Sequence, residues 1–458
     1  MTIQIRSRKV KKLKKTSRSK IFVPWIVFCM YIYITLLLSF IGPWEYLNYN
    51  KLLVFVFMTA FLFCGTIAYY YAIKKPVVKK ILYENKISLL LKFSIIFSFI
   101  LYLWMLFNNV RSEGLPEDFS LSDWTTIMAA AYTSSVSESY SFDLAVWIYS
   151  YFSIFTVIAM VMGVYVFKQL PNSYKFMVIG IYFINIVNSM VYIGAQKALG
   201  DMLIYLISVI ALKFCSGQVK FRLKTVIVFS ILVFTAVYSF MLILGARLTY
   251  WNISVGGSSS LAWVDSSNFL LRFLPENIKA GFLQFLIYAS SGYYGLSLSL
   301  QLPFQWSMGF GSSFAINDIL TRVLTIDATS VPLSYPDRME IATGWSARAN
   351  WNTIFPWLAS DFTFIGSIVF LCIIIYFYAR SFKKALINND MLSILFFTHF
   401  NILLFYVPAN NQLFQTRASL VVTLILIFAI FKKKVRLKES TTDLASQQIE
   451  PDEMIRKI

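Results

Sequence analysis

Residues 21–41 are IFVPWIVFCMYIYITLLLSFI, a run of 21 residues without a charged side chain. A helix of about 20 apolar residues is long enough to cross the hydrocarbon core of a bilayer. Similar runs recur along the 458-residue chain, in which 58% of residues are hydrophobic and only 14% are charged. Because backbone polar groups in lipid must be satisfied within each segment, this pattern predicts an all-α multipass membrane protein.

The first apolar run follows a strongly basic N-terminus. Residues 1–20 carry nine Lys or Arg and no acid. This resembles a signal peptide, but the run at 21–41 is too long and no small-x-small cleavage site follows it, so we interpret it as an uncleaved anchor. Ten spans are predicted in all, at roughly 21–41, 52–73, 87–107, 143–167, 175–194, 201–215, 225–244, 361–379, 391–408 and 417–431.

The distribution of basic residues predicts the orientation of these spans. With a cytoplasmic N-terminus, 31 of the 41 Lys and Arg fall on the inner side, as the positive-inside bias of membrane proteins requires. The chain then divides into a basic cytoplasmic N-terminus (1–20), seven transmembrane helices (21–244), a large outer loop (245–360), three transmembrane helices (361–431) and a cytoplasmic tail (432–458). The tail is polar and of mixed charge, and we predict that it is disordered from Val435 onward.

One apolar stretch, Gly281–Leu300, is not used in this topology. As an eleventh span it would invert every later segment and place two lysine clusters of the C-terminal third outside. Its three glycines, with Ser290 and Ser291, also make it a poor lipid-facing helix. We therefore predict a helix pair that lies on or dips into the outer face, with a plain eleventh span as the alternative.

The outer side differs from the inner side in its choice of cation. Seven of its ten basic residues are Arg, whereas only seven of the 31 on the inner side are. The planar guanidinium of Arg binds phosphate or carboxylate through paired hydrogen bonds, which the ammonium of Lys does not. We therefore expect an anion-binding site in the outer segments. The alternative for each arginine is an ion pair with an acid of the loop, which would hold the loop together.

Two sites place cations at the outer edge of the membrane. The turn Ile193-Gly-Ala-Gln-Lys-Ala-Leu-Gly-Asp201 joins two short spans and carries Lys197, and the seventh span ends in Arg247. Lys197 and Asp201 are four residues apart and can simply pair with each other. Ionisable groups at this depth are nevertheless a functional hypothesis by default.

Several kinds of chemistry lack the residues that they need. The four cysteines lie in or at the ends of spans, and the only histidine, His399, lies within a span, where we expect it to be packed or hydrogen-bonded in the bundle. Neither a disulfide framework nor a zinc or Ser-His-Asp mechanism is therefore expected. No P-loop or GxGxxG precedes a helix, so nucleotide chemistry has no support. We expect no metal, no other cofactor and no nucleic-acid partner.

The end of the large loop resembles a known family. Residues 350–366, NWNTIFPWLASDFTFIG, look like the T-x-F…D-x-G-x-x-G end of the last large periplasmic loop in oligosaccharide repeat unit polymerases, the O-antigen polymerases called Wzy. Thr363 stands where this family usually has its first glycine. Residues 194–199, GAQKAL, resemble the Gly-Ser-Arg turn that joins two spans in the same family, with Lys197 where Arg is commoner.

The resemblance implies a glycosyltransferase of the bacterial inner membrane that works on the periplasmic face. It would transfer a growing glycan from undecaprenyl pyrophosphate to the non-reducing-end hydroxyl of a new lipid-linked repeat unit. The donor carries its own leaving group, so no metal or nucleotide is implied. The partners would be undecaprenyl-pyrophosphate-linked oligosaccharide and membrane lipid, and a chain-length regulator is left open.

The resemblance, combined with the position of each cation and acid, gives candidate site residues. The candidates for the pyrophosphate are Arg247, Lys197 and Arg348, with Arg338 and Arg417 as second choices. The candidates for the general base that accepts the proton of the acceptor hydroxyl are Asp337 and Asp361, with Glu340 as the alternative. For each acid the competing interpretation is a structural partner of a nearby arginine.

Two other functions compete with polymerase. O-antigen ligases usually rely on a histidine of an outer loop, and this chain has none outside a span. A flippase or another transporter of lipid-linked oligosaccharide should show internal symmetry and charged residues along its spans. The predicted spans here are nearly free of charge, which favours the polymerase.

Overall fold

The fold is built from long helices that follow the apolar runs. A computed structural model describes residues 18–77, 88–114, 127–128, 130–132, 144–219, 223–250, 261–326, 332–347 and 349–447. The principal helices in these ranges are α1 (Val23–Ile41), α2 (Lys51–Lys74), α3 (Leu89–Glu113), α4 (Leu144–Tyr165), α5 (Asn172–Val187), α6 (Lys197–Cys215), α7 (Leu223–Tyr250), α8 (Glu276–Ser299), α9 (Tyr335–Thr343), α10 (Ile354–Asn388), α11 (Met391–Phe405) and α12 (Arg417–Gln447).

Short helical segments connect these helices. Two further α-helical segments lie at Phe269–Arg272 and Phe314–Asp318, and 3-10 turns lie at Arg18–Ile21, Phe167–Gln169 and Gln412–Phe414. Two segments have the wider π-helical hydrogen bonding, Asn188–Tyr192 and Ile319–Val323. The first of these extends α5 to the turn that carries Lys197.

Seven helices within the described residues are long and apolar enough to cross a membrane. They are α1 to α6, with α5 extended to Tyr192, and α10. The prediction of a multipass helical membrane protein is thus confirmed. The other three predicted spans, at 225–244, 391–408 and 417–431, fall on α7, α11 and α12. The described apolar stretches of α7 and α11 are shorter, at Val237–Leu248 and Met391–Phe405.

The helices pack into a bundle with an aromatic core. α2 packs along α10, α3 along α4, α4 along α12, and α7 along α8. Phe355, fully buried at the start of α10, makes edge-on contacts with Phe57 and Phe61 of α2 at 4.9 and 5.0 Å between ring centroids. This packing fixes the start of α10, and with it the end of the large loop, against the first helices of the chain.

A small sheet joins the first outer turn to the large loop, whereas the sequence predicted helices only. Strand β1 (Trp44–Tyr46) pairs antiparallel with β2 (Ala262–Val264), with Glu45 opposite Trp263. Strands of three residues are too short to show a two-residue hydrophobic period, so the prediction missed them.

The helix pair predicted for residues 281–300 is wrong, because α8 is one continuous helix. Trp44 Nε1 donates to Leu283 O at 3.0 Å, and Asn50 N donates to Ser297 Oγ at 3.0 Å. These contacts are about 21 Å apart along α8 yet reach the same turn, so α8 runs along that turn. The glycines do not break the helix but permit close packing: a Cβ on Gly295 would lie 2.2 Å from Asn352 Oδ1.

The predicted disorder of the tail from Val435 is also wrong over its first part. α12 continues to Gln447, well beyond the end of the tenth predicted span at 431. The added residues, KKKVRLKESTTDLASQ, include many good helix formers and no glycine or proline, so nothing in the sequence stops the helix. Residues 448–458 lie outside the described residues.

Candidate functional site

The turn between α5 and α6 has an irregular backbone. The π-helical segment Asn188–Tyr192 ends α5, and Gly194 follows with a φ of 62°. A Cβ on Gly194 would lie 2.4 Å from both Met128 O and Tyr132 N, so only glycine fits. π-helical segments occur frequently at functional sites. Here the segment leaves the carbonyl of Gly194 free to accept a side-chain hydrogen bond.

Arg247 of α7 supplies that hydrogen bond. Its Nη2 donates to Gly194 O, and its guanidinium lies over the ring of Tyr132, 4.2 Å from the centroid. The residue is only 7% exposed, and its Nε has no hydrogen-bond partner in the described structure. No carboxylate of the described residues pairs with it. A carbonyl and a ring are weak compensation for a buried positive charge, which is costly without a partner of opposite sign.

Lys197 and Asp201 lie on the first turn of α6, immediately after Gly194. Lys197 Nζ is 3.8 Å from Asp201 Oδ2, which is the pairing that their spacing allowed. Asp201 Oδ1 is buried and has no hydrogen-bond partner among the described residues. Gln196 is 7% exposed, and neither its amide nitrogen nor its amide oxygen has such a partner either. We call Gln196, Lys197, Asp201 and Arg247 the Arg247 cluster.

Aromatic side chains of the large loop lie beside the Arg247 cluster. Burial raises the pKa of Tyr288 of α8, and the positive charge of Arg247 opposes that shift, which places the phenol within the field of the guanidinium. Tyr288 in turn contacts Trp351, with ring centroids 4.7 Å apart. The cluster is thereby connected to the segment that resembles the polymerase motif. Aromatic faces of this kind are suited to packing against apolar or sugar surfaces.

The segment that follows Trp351 holds a second group of buried polar atoms without a partner among the described residues. Asn352 is 1% exposed, and neither polar atom of its amide has a hydrogen-bond partner there; the same holds for Thr353 Oγ1 and Trp357 Nε1. Buried polar groups are normally hydrogen-bonded, so a group of exceptions in one place suggests that a ligand or water completes it. The backbone here is well held, since Ile354 N donates to Val407 O at 3.1 Å.

Two of the three candidate general bases are engaged in holding the loop. Asp361 accepts four hydrogen bonds from Ser307 Oγ, Gly309 N, Ser312 N and Ser312 Oγ, at 2.5–2.8 Å. Asp337 completes a capping box with Ser334 at the start of α9. A carboxylate has about four acceptor positions, so Asp361 has none left for a substrate hydroxyl. Its partners are hydroxyls and N–H groups rather than the nearby arginine that the sequence suggested.

Glu340 and Arg338, on α9, form fewer hydrogen bonds than Asp361 does. Glu340 is exposed, and its Oε2 accepts from Ala347 N at 2.7 Å. Arg338 Nη1 donates to Pro303 O at 2.9 Å, and the guanidinium lies 4.4 Å from the ring centroid of Tyr335. Its Nε and Nη2 are buried without partners among the described residues. Burial raises the pKa of Tyr335, and Arg338 opposes this shift.

The remaining arginine candidates fall outside the Arg247 cluster. Arg417 Nε binds Asp318 Oδ2 at 2.6 Å, and the other carboxylate oxygen of Asp318 is 3.0 Å from Arg322 Nε. Arg417 therefore follows the alternative interpretation, an ion pair that holds the loop to the start of α12. Arg348 lies outside the described residues. Of the predicted cations among the described residues, Arg247 is the one that contacts the turn before Lys197, through Gly194 O.

His399 has the packed role that the sequence favoured. Its Nδ1 is 2.9 Å from the hydroxyl of Tyr205 and its Nε2 is 3.0 Å from that of Thr423. Both ring nitrogens are thus engaged within the bundle. Among the described residues, no group of three His, Cys, Asp or Glu side chains is arranged to hold a metal ion.

The sequence did not identify several residues that the structure places at or near the site. Tyr132 and Tyr288 come from two separate segments, and only folding brings them towards Arg247. Asn352 lies beside Gly295 of α8. Gln196 lay inside the turn already noted, and its missing partners could not be read from the sequence. Comparison with known proteins adds no further identification: no family model, no curated protein and no solved structure matches the chain.

Proposed function

We propose that the protein is a glycosyltransferase of the bacterial inner membrane. It polymerises undecaprenyl-pyrophosphate-linked oligosaccharide repeat units into O-antigen or a related surface polysaccharide at the periplasmic face. In this proposal the chain has ten transmembrane helices, both termini are cytoplasmic, and residues 245–360 form the periplasmic loop. One observation carries the proposal: the buried guanidinium of Arg247, without a described carboxylate partner, donates a hydrogen bond to a turn that resembles the polymerase turn.

In the proposed reaction, the bond between the anomeric carbon of the donor glycan and the pyrophosphate oxygen breaks. A new bond forms between that carbon and a hydroxyl oxygen of the acceptor repeat unit, and the hydroxyl proton passes to a base. Undecaprenyl pyrophosphate leaves with the electron pair of the broken bond. Its developing negative charge is the part of the transition state that a positioned cation stabilises most.

The Arg247 cluster supplies a group for each part of this reaction. Arg247 and Lys197 would bind the pyrophosphate, since both are cations and Arg247 Nε has no hydrogen-bond partner among the described residues. Gln196 would hydrogen-bond a sugar hydroxyl. Asp201 is the proposed base, because Asp361 and Asp337 are engaged elsewhere and Asp201 Oδ1 has no described partner. Glu340, whose Oε2 accepts from Ala347 N, is kept as the alternative.

A backbone feature of α10 supports the family resemblance behind this proposal. Thr363 has φ 63° and ψ 167°, a non-helical conformation inside an otherwise helical segment. That region of backbone space is adopted almost only by glycine. Thr363 is also the position at which the polymerase motif usually has glycine. The chain thus keeps the backbone shape that a glycine would explain, although the side chain differs.

The proposal is tested by the lipopolysaccharide banding pattern of a deletion strain. The strain is complemented with wild-type protein, Arg247→Ala, Arg247→Lys and, as a matched control, Arg272→Ala, an exposed outer arginine without a proposed role. Deletion should leave core capped by a single repeat unit, and wild-type protein and Arg272→Ala should restore the ladder. Arg247→Ala should lower polymer on the order of 100-fold, as expected for the loss of one charge-stabilising donor, and Arg247→Lys should recover part of it.

Other banding patterns would contradict the proposal in distinguishable ways. Bare core with polymer accumulating on the lipid carrier would identify a ligase. Bare core with repeat units stranded at the cytoplasmic face would identify a flippase or transporter. An unchanged ladder in the deletion strain would exclude any role in O-antigen assembly. Immunoblots of the membrane fraction ensure that each variant is present at the wild-type level.

A further inference from the structure

A groove on the lipid-facing side of the bundle lies away from the Arg247 cluster, between α2 and α10. Its volume is about 520 Å³, and its lining includes Cys64 and Ala68 of α2, with Ile368, Cys372 and Tyr376 of α10. Lys75, just after the end of α2, is the only charged residue of the lining. Val369 and Ile373, which also line the groove, are 54% and 50% exposed, so the groove is open on the side that faces away from the bundle.

The length of the groove matches one leaflet of a bilayer. From Cys64 to Lys75 the chain advances eleven residues, or about 16 Å at the helical rise per residue. The hydrocarbon core of a bilayer is about 30 Å thick. The groove thus extends from the middle of the membrane to the end of α2, and its charged residue lies where a lipid headgroup would begin.

The charged end of the groove is strongly basic. Arg380 donates to Lys75 O and Pro76 O, each at 2.6 Å, and Lys383 Nζ donates to Ile73 O and Lys75 O at 2.6 and 2.9 Å. These bonds cover carbonyls at the C-terminal end of α2, where the helix dipole is negative.

The ammonium of Lys75 is not used in these bonds, and it lies 5.5 Å from the ring centroid of Tyr376. Neither α2 nor the part of α10 beyond Thr363 contains an acid. No acid among the described residues forms an ion pair with this cation, so this end of the groove is complementary to an anion.

We infer that this groove binds one anionic phospholipid. An acyl chain lies along Ala68 and Cys372, and the phosphate is held by Lys75, with Arg380 and Lys383 adding positive charge behind it. An apolar channel with one cation at the headgroup level fits an amphiphile with a single negative head. The inference rests on the membrane location alone and not on the proposed glycosyltransferase activity.

The test is lipid binding by the full-length protein in detergent, followed by native mass spectrometry. Phosphatidylglycerol and phosphatidylcholine with identical chains are titrated separately. Wild-type protein should bind the first more tightly. Lys75→Gln should weaken phosphatidylglycerol binding about fivefold, the effect expected of one lysine at an anionic membrane surface, and leave phosphatidylcholine binding unchanged.

Two matched variants separate the groove from the general charge of the surface. Lys74→Gln removes the neighbouring cation, whose Nζ lies 4.5 Å from the ring of Tyr70 and outside the groove. It should change phosphatidylglycerol affinity less than twofold. Ala68→Phe fills the groove and should abolish the tight site for both lipids, whereas Ala60→Phe, on an exposed position of the same helix, should retain it.

Four results would overturn the inference. Equal affinity of the wild-type protein for the two lipids would show that the groove does not select an anionic headgroup. Equal effects of Lys74→Gln and Lys75→Gln would show that phosphatidylglycerol binds through the general charge of the surface and not in the groove. Unchanged binding by Ala68→Phe would show that no chain occupies the groove. Soluble glycerol phosphate at matched concentration should not compete, and competition would indicate an anion site without a lipid.

Discussion

Thr363 has φ 63° and ψ 167° in the middle of α10, so its replacement by glycine should relieve strain. This conformation places the Cβ of any other residue against the backbone and is essentially restricted to glycine. Thr363 is exposed, and the one recorded hydrogen bond of its side chain is accepted by Oγ1 from Gly366 N at 3.2 Å. Thr363→Gly therefore removes little packing. The informative comparison is with Thr363→Ala, which loses the same hydroxyl but keeps the Cβ.

The expected difference between these two variants follows from two opposing terms. A non-glycine residue in this region costs about 1–3 kcal/mol. Glycine loses more backbone entropy on folding than alanine, by about 0.5–1 kcal/mol. Thr363→Gly should therefore be more stable than Thr363→Ala by about 1 kcal/mol. Both variants lose the hydrogen bond of the hydroxyl, which is worth about 0.5–1 kcal/mol. This loss lowers the stability of both equally, so it cancels in the difference between them.

The assay is reversible unfolding of the purified protein in mixed micelles by titration with SDS. Thr59 in the regular part of α2 provides the matched control, because its hydroxyl has no described partner and its backbone is helical. There Ala should be more stable than Gly by about 1 kcal/mol, the ordinary helix preference. The reasoning is refuted if Thr363→Ala is also more stable than Thr363→Gly, because the backbone at position 363 would then not be strained.

Two further substitutions test the turn and the loop. Gly194→Ala should destabilise the protein by more than about 2 kcal/mol, because its φ is 62° and the new Cβ would lie 2.4 Å from Met128 O; the same SDS titration measures this, and a change below about 0.5 kcal/mol would contradict it. Asp361→Asn should cost about 2–3 kcal/mol, because an amide N–H₂ would face donors of the segment Ser307–Ser312. Limited proteolysis of Asp361→Asn should show faster cleavage in the segment Ser307–Ser312. If the variant instead lost polymerase activity with unchanged cleavage, Asp361 would be the general base and not a structural residue.

The parts of the fold that could be predicted from sequence are those that depend on local composition. A run such as residues 21–41 contains in itself the length and polarity that a span requires, and α1 follows it closely. The sheet between Trp44–Tyr46 and Ala262–Val264 depends on two segments more than 200 residues apart, neither with a pattern of its own. The continuity of α8 was missed because its glycines suggest a break unless one knows that protein surrounds them.

The same limit applies to the candidate site. The four-residue spacing allowed the contact of Lys197 with Asp201 that the structure contains. The end of an apolar run predicts that Arg247 lies at the membrane edge, and Arg247 does lie in the last turn of α7. Nothing near Asp361 in sequence indicates that residues 307–312 provide its partners, about fifty positions away. The unusual Thr363 was visible as a departure from a motif, but its physical meaning, a positive φ, required the structure.

Arg247 and Arg417 show how a binding arginine can be told from a structural one. Both were predicted on the outer side, and both have little exposed surface: Arg247 is 7% exposed, and the Arg417 side chain is 15% exposed. Arg417 is neutralised by Asp318 at 2.6 Å, which accounts for its burial. Among the described residues, the guanidinium of Arg247 contacts Gly194 O and the ring of Tyr132 but no carboxylate, and an uncompensated buried charge costs several kcal/mol. An anionic ligand would supply the counter-charge missing from the described residues, so the two arginines should differ in their response to added pyrophosphate.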